Sequence, residues 1–475
     1  MKNAVLIIKK LFSYSLTLVL ASLIFSSCQK DTFITSENAL LTTSVDSIKY
    51  DTVFTSIGSI TQSFKINNLN NQKLLLSQVK LMSGTGSAFS ININGTASTQ
   101  LSNIEVAAND SLYIFVSVKI NPNTANLPFI VKDSILIGYN GNNKYIQLEA
   151  YGQNANFLRN RTITGNITWP NNLPYVILGG LTINAGATLT IEAGCNIYAH
   201  TNAPILVNGS LFTNGTQRLP IIFNGDRLDA EYKDLPAAWP GIYFTGRSSN
   251  NVLTHTLIKN ALQAVVAEQP VVNNMPKLTL HQCIIDNSGD VGLLAVNSSI
   301  NADNSLITNC GNNINLTDGG MYNFVNCTVA AYTTNYTAHN KPVLMVNNSI
   351  LSGGNIVSNT LSANFTNCIF WGDGGIVDNE ITIDKQGSNA FNVLFDHCIY
   401  KAKADPANCT IAQCVKNQSP LFDTIDYNKK VYNLNINNIL APGIDKGLNG
   451  MGFDKDLNDN NRIVNIIDIG CYEKQ

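Results

Sequence analysis

From about Asn156 onward the apolar residues come in short steps of three to five, and each step is broken by Gly or Asn. Val176-Ile-Leu-Gly-Gly-Leu-Thr-Ile183, Ala187-Thr-Leu-Thr-Ile191-Glu-Ala-Gly194-Cys-Asn-Ile197-Tyr and Pro204-Ile-Leu-Val207-Asn-Gly-Ser-Leu-Phe212 set the rhythm. These runs are too short for helices, and each carries a turn residue at its corner. They predict a β-solenoid, in which successive coils stack in parallel and free edges remain only at the two ends. Self-comparison sharpens this. His281-Gln-Cys283-Ile-Ile, Asp303-Asn-Ser305-Leu-Ile, Val325-Asn-Cys327-Thr-Val and Asn347-Asn-Ser349-Ile-Leu share one pattern at steps of 22 residues. Thr366-Asn-Cys368-Ile-Phe follows after 19 and Asp396-His-Cys398-Ile-Tyr after 30. Elastic periods near twenty describe coils whose loops vary while the stacked strands hold register. A Cys or Ser is small enough to stack inside a narrow coil. The polar residue before it (Gln282, Asn304, Asn326, Asn348, Asn367, His397) suits a left-handed corner and can bond the coils above and below.

Before this region the pattern differs. Ser59–Asn67, Lys73–Ser83, Leu112–Lys119, Val131–Gly138 and Lys144–Tyr151 read as strands separated by Asn-, Gly- and Pro-containing turns. About a hundred residues in this style predict a β-sandwich over 44–154, with the solenoid and a C-terminal cap filling 155–475. Residues 29–43, polar and small, read as a tether.

The first 28 residues bear on the compartment. Lys2, Lys9 and Lys10 precede an apolar run, Leu11 to Phe25, too short to span a bilayer comfortably. The run ends in Ser26-Ser27-Cys28, which resembles a lipobox and marks Cys28 as the lipidated residue, with Phe25 where Leu is usual. Gln29-Lys30-Asp31 partly resembles the tag that routes some lipoproteins to the cell surface. The expectation is an outer-membrane lipoprotein, surface-exposed or on the periplasmic face, that meets the membrane through its lipid alone.

Charged residues make up 13% of the chain and the net charge is −2. With no basic stripe interleaved with aromatics, nucleic acid is excluded as a partner. Removing Cys28 from the ten cysteines leaves nine, most of them in the repeated context and read as small buried hydrophobes. Cys409 and Cys414 are kept as a candidate disulfide. No spacing suggests zinc.

Two blocks carry a family resemblance. Phe223-Asn-Gly225-Asp226-Arg227-Leu228-Asp229-Ala-Glu-Tyr232-Lys-Asp234-Leu-Pro236-Ala-Ala-Trp239-Pro-Gly241-Ile242-Tyr-Phe244 resembles a loop-then-strand block of secreted right-handed parallel β-helix proteins of the pectin-lyase-like superfold. Phe453-Asp454-Lys-Asp456-Leu-Asn458-Asp-Asn-Asn-Arg462 with Asp468-Ile-Gly470-Cys471-Tyr472-Glu473 resembles the terminal motif of anchored β-helix proteins. Gly58 to Asn68 resembles the opening of an immunoglobulin-like module. The resemblance implies an all-β chain, a right-handed parallel β-helix behind a sandwich, and leaves activity open.

β-Helix enzymes cleave acidic polysaccharides. A lyase needs a base beside a neutralised carboxylate, and a hydrolase needs two facing carboxylates. The coils offer scattered candidates, among them Arg247, His255, Lys259, Asp286, Asp290 and Asp303, in no familiar catalytic motif. The favoured reading is a glycan- or surface-binding envelope protein without catalysis, the alternative a polysaccharide lyase or glycoside hydrolase. Arg227, Asp229, Tyr232 and Trp239 are the candidate ligand site, with exposed Tyr232 and Trp239 stacking on sugar rings; the competing reading has Arg227 and the acids brace the loop and Trp239 fill the first wide coil. Asp454, Asp456 and Asn458, with Asn460, alternate like the start of a calcium loop. A polar turn closed by Arg462 with Asp468 or Glu473 competes with calcium there. Asp-Ser/Thr-aliphatic triplets such as Asp133-Ser134-Ile135 resemble an O-glycosylation sequon.

Overall fold

The computed structural model describes residues 32–55, 58–122, 129–269, 275–462 and 466–475. The lipidation residue Cys28 lies outside them. Apart from one 3-10 turn at Gly84–Gly86, every regular element described is a strand. No described helix is long and apolar enough to cross a membrane. The chain divides into two compact units after Gln153.

The first unit is two five-stranded sheets. One runs Leu41–Thr43, Gln62–Asn68, Ser111–Val118, Phe89–Ile93, Thr96–Ala97; the other runs Ser47–Phe54, Asn142–Gln153, Phe129–Tyr139, Leu74–Leu81, Gln100–Val106. Strict alternation builds the core. In Ser111–Val118 the residues Leu112, Ile114, Val116 and Val118 are buried while Tyr113 and Phe115 face outward. The five strands expected here are present, and further strands flank them. The expected tether is shorter than read. Ala39 and Leu41 are buried, and Leu41–Thr43 pairs antiparallel with Ile66–Asn68. Residues taken as polar linker therefore supply an edge strand.

In the second unit 26 strands join into one continuous sheet, and each coil's strands pair in parallel with those of the next. It is a right-handed parallel β-helix. Inward side chains stack on their own kind: Phe324 on Phe365 at 5.4 Å, and Phe365 on Phe395 at 4.9 Å between ring centres. Ile258, Ile285, Ile307, Val329 and Phe370 align by register on another face.

The corner column forms as the repeat suggests. Gln282, Asn304, Asn326, Asn367 and His397 all hold positive φ, between 46° and 55°. Behind them the Cys283 amide donates to Ser305 Oγ at 3.0 Å and the Cys398 amide to Cys414 Sγ at 3.3 Å. Burial pushes the thiols of Cys283 and Cys471 up to about 12, so they stay protonated. The Asn347–Leu351 copy departs from the pattern. Asn348 lacks the positive φ, and Ser349–Ser352 pairs antiparallel with Asn355–Ser358. The column passes directly from Asn326 to Asn367, whose side chain donates to Asn326 Oδ1 at 2.9 Å. An extra hairpin thus mimics a coil of the right length. The expected Cys409–Cys414 disulfide is also corrected, since both are free thiols. Cys414 continues the column, and Cys409 Sγ donates to Pro406 O.

The corner column carries the C-terminal segment. Asn367 donates to Leu448 O at 3.0 Å and accepts from Leu448 N at 2.7 Å; Asn326 donates to Met451 O, and Gln282 to Asp456 O. The segment's Phe422, Leu434, Ile436, Ala441, Leu457 and Ile469 cover outward-facing Leu306, Ala330, Tyr332, Ile369 and Ile399.

These anchors can be tested in two ways. Asn367→Ala removes the side-chain bonds to Asn326 and Leu448; each buried polar group left unpaired costs about 1–3 kcal/mol. Limited proteolysis should then cut within 440–475 well before the coils, whereas equal resistance would show that the ladder does not hold the segment. Lys277, wholly buried, donates Nζ to Thr245 O and Ser248 O at 2.8 Å, and desolvation pushes it down to about 8. Unfolded, it would titrate near 10.4. Between those values the unfolded chain holds a proton that the folded chain lacks, so stability rises with pH. The unfolding midpoint of wild type relative to Lys277→Met should climb between pH 8 and about 10, and parallel profiles would refute this.

Candidate ligand cleft on the β-helix

The cleft is built on one outward row. In Thr256–Lys259, Ile284–Asp286 and Leu306–Thr308 the residues Ile258, Ile285 and Ile307 point into the coil. Alternation therefore turns Lys259, Asp286 and Thr308 outward, side by side in register. Two ladders flank these strands. On one side is the corner column that carries the C-terminal segment. On the other, Asn260 donates to Asn224 Oδ1 at 2.9 Å and Asn287 to Asn260 Oδ1 at 2.7 Å. Asn260 and Asn287 also hold positive φ, and they donate to Lys233 O and Asp234 O. The long insertion after Gly225 thus hangs from one ladder and the C-terminal segment from the other, leaving a channel between.

A third wall comes from the loop after Tyr332. Tyr432 stacks on Tyr332 at 4.7 Å and donates its hydroxyl to Thr333 O at 2.7 Å. The cleft so enclosed has a volume of about 450 Å³ and is lined by Asp234, Lys259, Asp286, Asn287, Thr308, Asn309, Tyr336, Lys430, Tyr432 and Tyr472, among others. Lys259 Nζ lies 3.7 Å from Asp286 Oδ2. Burial raises the Asp286 carboxyl above the ordinary carboxylate value, against the pull of Lys259 and Asn309, and Asp234 adds to the rise. The walls therefore offer tyrosine rings, amides, hydroxyls and equal numbers of cations and carboxylates.

The residues expected to bind ligand are placed otherwise. Arg227 forks onto Asp229 at 3.0 and 3.2 Å and lies 3.9 Å from the centre of the Tyr232 ring. These three come together but spend their groups on one another, bracing the insertion. Trp239 does not join them: it is 1% exposed, lies near-parallel to Phe223 and donates Nε1 to Lys259 O at 2.8 Å. Of the two readings open for Trp239, an exposed ring and a core ring filling the coil, the structure has the core ring. The neighbour that does reach the cleft is Asp234, held through its carbonyl by Asn287.

At the C-terminal motif the calcium reading gives way to the competing one, a polar turn closed by Arg462 with Glu473. Asp456 is fully buried, and its carboxylate accepts the amides of Asn458, Asn460 and Glu473 at 2.8–2.9 Å. Asn458 donates its side chain to Asn435. Among the described residues no group of three or more His, Cys, Asp or Glu stands ready for a metal. Arg462 Nη1 pairs with Glu473 at 3.1 Å, and Nη2 bonds Asn304 Oδ1 and Gly470 O. The motif is a hydrogen-bonded cap locking the C-terminus to the corner column.

Residues 161–270 match the model of the pectate-lyase-like beta helix domain. The chain carries a pectate-lyase-like β-helix domain. No curated protein matches the sequence. Among solved structures, a protein of unknown function from Porphyromonas gingivalis W83 is similar at 12% identity and TM-score 0.18, over 27% of this chain and 50% of that one. A family 123 glycoside hydrolase from Clostridium perfringens is similar at 10% identity and TM-score 0.17, over 24% and 26%. The chain spans half the length of the first and about a quarter of the second. Likenesses this partial bear on neither the overall architecture nor the function of this chain.

The placement of Trp239 is directly testable. Trp239→Ala should cost about 3–5 kcal/mol, as large-to-small changes at buried aromatics do, and Arg227→Ala far less, because its pair with Asp229 is partly exposed. Equal shifts in the urea midpoint of the β-helix would contradict it.

Proposed function

We propose that this chain is an exported, lipid-anchored protein of the cell envelope whose β-helix binds a glycan in the cleft described above without cleaving it. The observation that carries the reading is the lining of that cleft. Tyr336 and Tyr432 offer apolar ring surface for the C–H face of a sugar, while Asn287, Asn309, Lys259 and Asp286 offer directional partners for hydroxyls. The β-helix supports this mechanically. Two of the three walls hang from hydrogen-bonded ladders and the third is held by Tyr432, so the groups are in place before ligand arrives, and little ordering entropy is lost on binding. The lipid on Cys28 and display at the outer membrane belong to the same proposal and rest on the signal sequence.

One observation favours a second reading. Asp234 and Asp286 both line the cleft, and the Asp286 carboxyl is raised, as a general acid for glycoside hydrolysis would need. Binding is preferred because Asp286 is already engaged by Lys259. The two are separated by a glycan screen on protein from residue 29 onward that scores retention and reducing-end release together. Retention without release, weakened at least tenfold by Tyr336→Ala with Tyr432→Ala, supports binding. Release that disappears in Asp286→Asn replaces it with hydrolysis, and neither result abandons the cleft. For the anchor, labelled palmitate should enter wild type and not Cys28→Ala; equal labelling would remove the lipid from Cys28.

A further inference from the structure

The first unit presents a face that the β-helix reading leaves unused. On the central strand Ser111–Val118, Tyr113 and Phe115 point away from the core and are 42% and 40% exposed. Their rings lie near-parallel, at 18°, with centres 5.9 Å apart. Lys65, opposite Tyr113 on the next strand, holds its ammonium 4.9 Å from that ring. Register places Ser63 and Asn92 on either side of Phe115, Asn67 beside Ser111 and Ser90 beside Ser117. The surroundings of the two rings are thus hydroxyls and amides, with one cation and no carboxylate among these paired positions.

The second sheet of the same sandwich differs in charge. There Lys132 and Glu149 pair at 2.9 Å, and Lys49 and Asp51 stand exposed on the strand beside them. Tyr145 and Tyr151 are exposed there too, on the strand of Glu149, so the rings of that face stand among paired charges. Two large rings left at the centre of the other face are not explained by packing, since the alternate residues already fill the core. A protein partner would be matched by aliphatic side chains around the rings, and none of the paired positions supplies one. Small hydroxyls and amides around aromatic rings instead match an uncharged sugar chain, whose C–H faces lie on rings and whose hydroxyls exchange hydrogen bonds with Ser and Asn.

We infer that the outward face of the first sheet, centred on Tyr113 and Phe115 with Lys65, Ser63 and Asn92, is a binding surface for an uncharged glycan, separate from the cleft of the β-helix. It rests on the face itself and not on the cleft, so either site can fail without the other.

The test uses protein from residue 29 onward in native gels containing laminarin, galactomannan or barley β-glucan. Retardation in at least one gel is expected. Tyr113→Ala with Phe115→Ala should weaken it tenfold or more at an unchanged unfolding midpoint, and Phe115→Trp should keep it. Tyr336→Ala with Tyr432→Ala should leave this component in place, which separates the face from the cleft. No retardation in any of the three gels, or retardation untouched by the double change at Tyr113 and Phe115, overturns the inference. So does a dimer in sedimentation velocity that the double change dissociates, because the rings would then pack against a second copy.

Discussion

The structure depends on one recurring demand. A coil of about twenty residues must turn sharply at fixed corners, and a sharp corner puts a residue into left-handed backbone that most side chains resist. Asn is the cheapest non-glycine answer, and it brings an amide that must itself be satisfied. Stacking the coils solves both problems at once. Asn367 donates to Asn326 above it, Asn287 to Asn260, and Asn260 to Asn224. Each corner is held by the one before it, so a local conformational cost becomes a ladder running along the solenoid.

The ladders have a second consequence. An amide carries more donors and acceptors than one neighbour can use, and the surplus reaches outward. From one column it holds Leu448, Met451 and, through Gln282, Asp456; from the other it holds Lys233 and Asp234. The cleft exists because two non-repetitive segments are tied to opposite corners of the same outward row. Its chemistry is set where the row lies open, at Lys259 and Asp286, and it ends where the C-terminal segment lies down over Leu306 and Ile369.

What the sequence made legible follows from that logic. The Cys/Ser repeat with its preceding polar residue reports the corner directly, so the solenoid and its column could be read from residues alone. The alternating strands of the sandwich were legible for the same reason, as one periodicity serves one buried face. Asn348-Ser349 misled because a hairpin of the right length keeps the local pattern while leaving the stack, and only pairing partners tell the two apart. The edge strand at Leu41 was missed because three residues carry too little periodicity. Trp239 and Asp456 could each be read two ways, and the cleft itself could not be read, for a different reason. Whether an indole fills a coil or faces solvent, and whether a carboxylate meets calcium or three amides, depends on residues distant in the chain. Asp456 meets Glu473, and Arg462 meets Asn304 158 positions away.

The same packing accounts for a chemical oddity. Nine described cysteines are free, and so many thiols, if accessible, would be at risk of oxidation and scrambling. Reaction needs thiolate and access. Inside the coil Cys283 meets neither condition: desolvation holds its proton, and its Sγ donates to the carbonyl of Leu253. Cys327 and Cys368 are equally buried, with Sγ donating to Val325 O and Thr366 O. The thiols act as small donors that fit a narrow corner, and Ser305 at an equivalent place shows that size and hydrogen bonding, not sulfur chemistry, are what the corner selects. Protection thins toward the last coil, where Cys409 and Cys414 are only half-buried. A solenoid built on stacked corners is therefore as chemically quiet as it is regular, and whatever specificity the molecule has must come from the segments hung on its ladders.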